Sequence, residues 1–231
     1  MAVTLGPIGI TFNDGSTQTT DPKNYDSGGL ISITTFTSNG TYTIPNSAKS
    51  LLIKCVGGGG GSAGYLESGG AGGYSEGYFI GAAQGVVPNN TVAVKVGGGG
   101  GSVYYYNAAG SGDTSSFGGW ITASGGAGAN THYGHTGGFG GVGSGGIVSL
   151  YGGGGTGHGN HHGYSASGRG GQSFFGSGNA IRHLHDGGSH AYYPAAPGAG
   201  AAGGTTDNNN HFGNRGQWPG MAGMVIVYAY Q

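Results

Sequence analysis

Cysteine occurs once in the 231-residue chain, at Cys55, so no intrachain disulfide and no set of thiolate ligands can hold a small core together. Basic residues are few as well. Four Lys and three Arg are scattered from Lys23 to Arg215 and form no stripe that would neutralise phosphates, so nucleic-acid binding is excluded as an expectation. Six Asp and two Glu bring the net charge to −1, which lacks the strong charge imbalance of an ordinary disordered chain. No apolar run reaches bilayer length, and Met1-Ala-Val-Thr-Leu5 lacks the regions of a signal peptide, so a soluble protein without membrane insertion or export signal is expected. Leu, Ile, Val and Phe number only 7, 11, 12 and 8, too few for a conventional enzyme core.

Glycine fills the space left by these absences, with 61 residues. Together with seven prolines this is a composition typical of low complexity, yet the apolar residues cluster instead of thinning evenly. Residues 1–29 are polar and turn-rich, with one alternating stretch, Gly9-Ile-Thr-Phe-Asn13, before Asp14-Gly15, and read as a connecting segment. Period-two strand patterns follow at 30–36, 41–45, 51–56, 73–80, 91–96, 114–117 and 120–124, and a last one spans Met224–Tyr230. No stretch has helical apolar spacing. The expected fold is all-β: an antiparallel, sandwich-like core of residues 30–124 and 221–231, closed by the C-terminal strand on a sheet begun near residue 30. Cys55, in Ser50-Leu-Leu-Ile-Lys-Cys-Val56, reads as a small buried strand residue.

Residues 125–220 contain 32 glycines in 96 positions without a Gly-X-Y period, which excludes a collagen triple helix. A flexible linker is one reading of this block. The other is an inserted block of packed polyglycine II helices, extended with three residues per turn, joined by exposed loops. Without Cβ atoms such helices approach closely enough for backbone N–H groups to bond carbonyls on neighbours. The aromatic and histidine residues planted among the glycines, among them Phe174-Phe175, favour the ordered reading. Tyrosine is a low-entropy contact residue, suited to stacking on sugars or protein loops. The candidate contact residues are Tyr104, Tyr105, Tyr106, His132, Tyr133, His135, Tyr151, His161, His162, Tyr164, His183, His185, His190, Tyr192, Tyr193 and His211. For each, the alternative is that the ring caps a glycine helix or fills a gap between strands. His183 and His185 are weak candidates for metal ligation; no cofactor is otherwise expected.

The segment Phe36-Thr-Ser-Asn-Gly-Thr-Tyr-Thr-Ile-Pro45, followed by Ser50-Leu-Leu-Ile-Lys-Cys-Val-Gly-Gly-Gly-Gly-Gly61, resembles the opening of glycine-rich domains in bacteriophage tail-fibre proteins. Thr91-Val-Ala-Val-Lys-Val-Gly-Gly-Gly-Gly-Gly101, Thr114–Gly126 and Gly223-Met-Val-Ile-Val-Tyr228 continue the likeness in order, and Gly9–Thr20 resembles a motif of trimeric tail fibres. In composition the block is also similar to the polyglycine sandwich of separate tail-fibre adhesins. The resemblance implies a glycine-rich receptor-binding tip domain over 30–231, on the virion at the tail-fibre tip. Its implied partners are the remainder of the fibre, two further copies in a homotrimer, and a bacterial outer-membrane protein or lipopolysaccharide.

Two competing functions are weighed against recognition. A structural glycine-rich fibre protein needs no receptor. A polysaccharide depolymerase needs two carboxylates roughly 5–10 Å apart, for which few acids are available, and no nucleophile elbow or phosphate loop is present. A non-enzymatic protein is expected.

Overall fold

The computed structural model describes residues 29–63, 67–103, 107–130, 136–157, 168–178, 196–203 and 218–231, and the strand backbone at 4–6, 9–11, 17–18, 159–161 and 164–166. β1 (Thr4–Gly6), β2 (Gly9–Thr11) and β3 (Thr17–Gln18) form a small antiparallel sheet. The rest is built on two five-stranded antiparallel sheets. β4 (Leu30–Phe36), β6 (Ser50–Val56), β7 (Tyr74–Ile80), β12 (Val148–Leu150) and β15 (Met224–Tyr230) make one, in the order β12-β7-β6-β15-β4. β5 (Gly40–Thr43), β8 (Thr91–Lys95), β9 (Ser115–Phe117), β10 (Ile121–Ala123) and β11 (Gly143–Ser144) make the other, in the order β11-β10-β9-β8-β5.

Alternation places the core. In β6, Leu51, Ile53 and Cys55 are buried while Leu52 and Lys54 face the other way; in β15, Val225, Val227 and Ala229 are buried. They meet Tyr42, Ile44, Val94, Phe117, Ile121 and Ala123 contributed from the opposing sheet's side. β15 lies between β6 and β4, with Val225 beside Cys55 and Phe36, so the chain's last strand closes the sheet that opens at residue 30. Gly118, at φ +52°, begins the tight turn that brings Phe117 beside Ile121. The expected strands are all present within a residue or two. β11 and β12 were not expected from the sequence, because two or three residues flanked by glycine carry no readable alternation.

Beyond the strands, glycine segments pack as extended helices. The N–H groups of Gly57, Gly60 and Ala63 donate to Gly73, Gly70 and Glu67; those of Gly58 and Gly61 donate to Asp113 and Gly110; those of Gly59 and Ser62 donate to Met221 and Trp218. Every third residue therefore faces the same antiparallel neighbour, which is the three-residue turn of a polyglycine II helix. The carbonyls of this segment do the converse. Gly59 and Ser62 accept from Gly100 and Val103, Gly58 and Gly61 accept from Gly126 and Ala129, and Gly60 accepts from Ala201. Residues 57–63 are thus surrounded by three segments that receive their protons and three that supply them. Residues 67–73 sit in a second such position, donating to 124–127, 153–156 and 198–201 and accepting from 57–63, 138–141 and Gly171.

The spacing leaves no room for a side chain at the inner positions. A Cβ on Gly59 would stand 1.9 Å from the Ala199 carbonyl oxygen, and one on Gly60 2.0 Å from that of Ala127. The glycine helices are not confined to 125–220 as the composition suggests. Residues 57–63, 67–73, 97–103 and 107–113, within the expected β core, supply their centre, because each glycine run continues a strand outward and back.

Gly59→Ala or Gly60→Ala is expected to lower stability by about 1–3 kcal/mol or more, the usual range for overpacking. Gly101→Ala, where a Cβ meets nothing within 4 Å, is expected to change it by less than about 0.5 kcal/mol. Urea unfolding of the three variants checks this; equal effects at all three positions contradict backbone-limited packing.

Candidate functional site

The chain leaves the sandwich along one glycine helix and returns along another. Residues 57–63 extend β6 and 67–73 lead into β7; 97–103 extend β8 and 107–113 lead into β9; 124–129 extend β10 and 136–141 lead into β11. Residues 151–157 extend β12 and come back from 168, and 198–203 run out to be followed by 218–223 and β15. The links between outgoing and returning helices therefore all attach at the end of the block away from the sandwich.

Described pairs fix that end. Ala63 bridges Val103, Asn130 bridges Thr136, and the Trp218 N–H donates to Ser62 Oγ at 2.9 Å. Ser68 Oγ lies 2.6 Å from the Thr156 carbonyl and 2.7 Å from that of Arg169, which share its single proton, and Gly203 N–H donates to Gly168 O at 3.0 Å. These serines work as side-chain plugs where the lattice ends and further glycine partners run out. Ser62 and Ser68 are fully buried.

Most candidate contact residues belong to these links. Tyr104, Tyr105 and Tyr106 follow Val103; His132, Tyr133 and His135 lie between Asn130 and Thr136; His211 lies between Gly203 and Trp218. All seven are outside the described residues, as are His162, His183, His185, His190, Tyr192 and Tyr193. His161 ends β13 (Gly159–His161) and Tyr164 begins β14 (Tyr164–Ala166), where the two are register partners in an antiparallel hairpin. Tyr151 stands apart from the rest. It bridges Val142 at the sandwich end and is 78% exposed.

Tyr65 escaped the sequence reading. It occupies the link 64–66, and the Ala63–Val103 bridge puts the start of this link beside that of 104–106. The signal was available: Ala63-Gly-Tyr-Leu66 interrupts two glycine runs as Tyr104–Tyr106 does. Phe174 and Phe175, by contrast, pack at the sandwich end. Phe174 stacks on the buried Tyr74 with centroids 3.6 Å apart and Phe175 meets it edge-on at 6.0 Å.

Among the described residues charge is sparse at both ends. The Tyr74 hydroxyl donates to Glu76, whose carboxylate also meets Lys54 Nζ at 3.5 Å; Lys54 lies 5.7 Å from the Tyr228 ring centroid. Burial first, and the Glu76 carboxylate second, push the Tyr74 phenol well above its usual range. Glu67 lies at the outer end of its glycine helix and Glu76 in β7. Nine extended residues separate them by about 28 Å, so they are not a hydrolytic carboxylate pair.

A family model described as a glycine-rich domain matches residues 34–230. The chain belongs to the glycine-rich domain family. No curated protein matches it. Within this glycine-rich domain the matched span runs from the middle of β4 to the end of β15, and so takes in both the sandwich and the glycine helices.

Cys55, fully buried in β6, has its thiol pushed up to about 12 from 9.0 by burial, against a smaller opposing effect of the Ala123 backbone. The folded domain holds this proton more tightly than the unfolded chain. Its contribution to stability is full below about pH 9 and is lost between 9 and 12, at up to about 1.4 kcal/mol per pH unit. Urea midpoints measured from pH 8 to 11 are expected to fall more steeply for the wild-type domain than for Cys55→Ala; parallel curves contradict the burial of an unionised thiol.

Proposed function

We propose that this glycine-rich domain is a non-enzymatic tip domain or adhesin of a bacteriophage tail fibre, which recognises a bacterial surface receptor during host adsorption. One observation carries the reading: links bearing Tyr65, Tyr104–Tyr106, His132–His135 and His211 all spring from helices that end together, away from the sandwich. The lattice from which these links spring is packed through its main chain. Tyrosine and histidine are residue types suited to recognition, and their concentration in these links favours binding over a purely structural glycine-rich protein. The likeness of Gly9–Thr20 and of the ordered strand-and-glycine segments to tail-fibre proteins supplies the setting: a virion component, joined to the fibre through its N-terminal segment and assembled as a homotrimer. The receptor class is an outer-membrane protein or lipopolysaccharide.

The test is adsorption of the labelled full chain to a panel of Gram-negative cells. Saturable binding to at least one strain is expected, lost on host mutants lacking either one outer-membrane protein or the lipopolysaccharide sugars. Replacing Tyr104–Tyr106 or His132–His135 by Gly/Ser segments of equal length is expected to cut cell binding at least about tenfold, while the urea midpoint stays that of the wild type. Binding to no strain, or binding indifferent to every link replacement, defeats the proposal.

A further inference from the structure

Where the sandwich opens beside β7, a groove of about 420 Å³ lies between that strand, the β9–β10 turn and the β11–β12 connection. This size falls in the range of small-molecule sites, roughly 300–1,000 Å³. Its lining includes three aromatic residues, Tyr78, Phe79 and Trp120. Trp120 packs against Phe79 at 4.9 Å and Phe117 at 5.4 Å between centroids, and a Cβ on Gly85 would reach the indole at 2.6 Å. Tyr78 is fixed by its hydroxyl, which donates to Ser50 Oγ at 2.9 Å. Across from them Ile147 is 74% exposed, on a connection whose glycines lie directly on the strands: a Cβ at Gly145 would stand 2.4 Å from the Trp120 carbonyl oxygen.

Gln84 supplies a polar group at the rim. Its Oε1 accepts the Ile80 N–H at 2.7 Å, which leaves the amide Nε2 as an oriented donor on an exposed side chain. Among the described residues no carboxylate, lysine, arginine or histidine lines the groove. A charged ligand would lose water there without gaining a counter-charge. A purely apolar side chain would cover the Gln84 donor and leave it unpaired.

We propose that this groove binds a neutral hexopyranose ring. The sugar's C–H face lies against the electron-rich aromatic faces, and a hydroxyl at its edge accepts from Gln84 Nε2. The site is on the sandwich, away from the helix ends where the links attach, so it goes beyond receptor recognition through them and stands whether or not that reading holds.

The experiment is an amide-resolved NMR titration of the full chain with neutral methyl glycosides of glucose, galactose, mannose and N-acetylglucosamine. Glucuronate serves as the charged control and N-acetyl-leucine amide as the apolar one. At least one neutral glycoside is expected to give saturable shifts at residues 77–79, 84, 120 and 145–147. Gln84→Ala is expected to weaken binding roughly fivefold, the loss of one neutral hydrogen bond. Ile147→Ser is expected to weaken it as well; both side chains are exposed, so both variants retain the fold. Absence of shifts with all four glycosides at high millimolar concentration overturns the proposal, as does a response to glucuronate or the leucine amide alone. Shifts that leave these residues untouched overturn it too.

Discussion

Everything in this molecule depends on backbone hydrogen bonds that turn by a third of a revolution from one residue to the next. In a β-sheet, successive N–H groups point to two sides only, and the structure grows as a layer. Here Gly58, Gly59 and Gly60 donate to three different segments, so the structure grows in two directions and acquires an interior made of main chain. An interior of this kind is closed to Cβ atoms at most positions, as the approach of Gly59 to Ala199 makes plain. Glycine is then a packing requirement, and the large entropic cost of so many glycines is offset by bonds that each segment makes on several sides at once. The scarcity of Leu, Ile, Val and Phe follows directly. Apolar side chains are needed only in the sandwich.

The sandwich supplies what the lattice cannot supply for itself, a starting register. Extended glycine helices shift past one another by whole three-residue turns with little penalty, since one glycine turn is like the next. Strands do not, because a one-residue slip exchanges buried for exposed side chains. β6 and β7 place Val56 opposite Tyr74, and the next pair outward, Gly57 with Gly73, inherits the alignment. The same inheritance runs from β15 through 218–223. At the far end, Ser62 and Ser68 bond carbonyls through their hydroxyls and stop the pattern. Alanine enters at Ala71, Ala127 and Ala199, so the lattice tolerates a methyl at chosen positions and excludes it at others.

Strands with period-two patterning were legible in the sequence: Leu30–Phe36 and Met224–Tyr230 are found at the residues their pattern indicates. The three-residue turn of the glycine runs was legible as a physical possibility. What a single sequence hides is pairing. Nothing in Gly57–Gly61 says that it meets 110–113 and 218–221, because glycine carries no side-chain code for its partner. Composition changes at residue 124 for a reason unrelated to pairing, and the lattice draws on glycine runs from both sides of it. Tyr65 was passed over because its link is short, and the Trp120 groove because its walls come from four separate stretches of chain. Tyr151 looked like the other planted tyrosines, yet its neighbours Val148–Leu150 pair with β7 and hold it at the sandwich.

The return of every glycine helix to the sandwich has a mechanical consequence. A polyglycine II helix rises about 3.1 Å per residue, close to the roughly 3.3–3.6 Å limit of a fully extended chain, whereas an α-helix has more than twofold slack. Tension along the axis of the block therefore finds almost no length to draw out of any segment. It is shared among parallel struts bonded to one another at each turn. The domain should behave as a stiff rod over the roughly 20 Å of residues 57–63, transmitting force from its links to β4 and β15 without stretching.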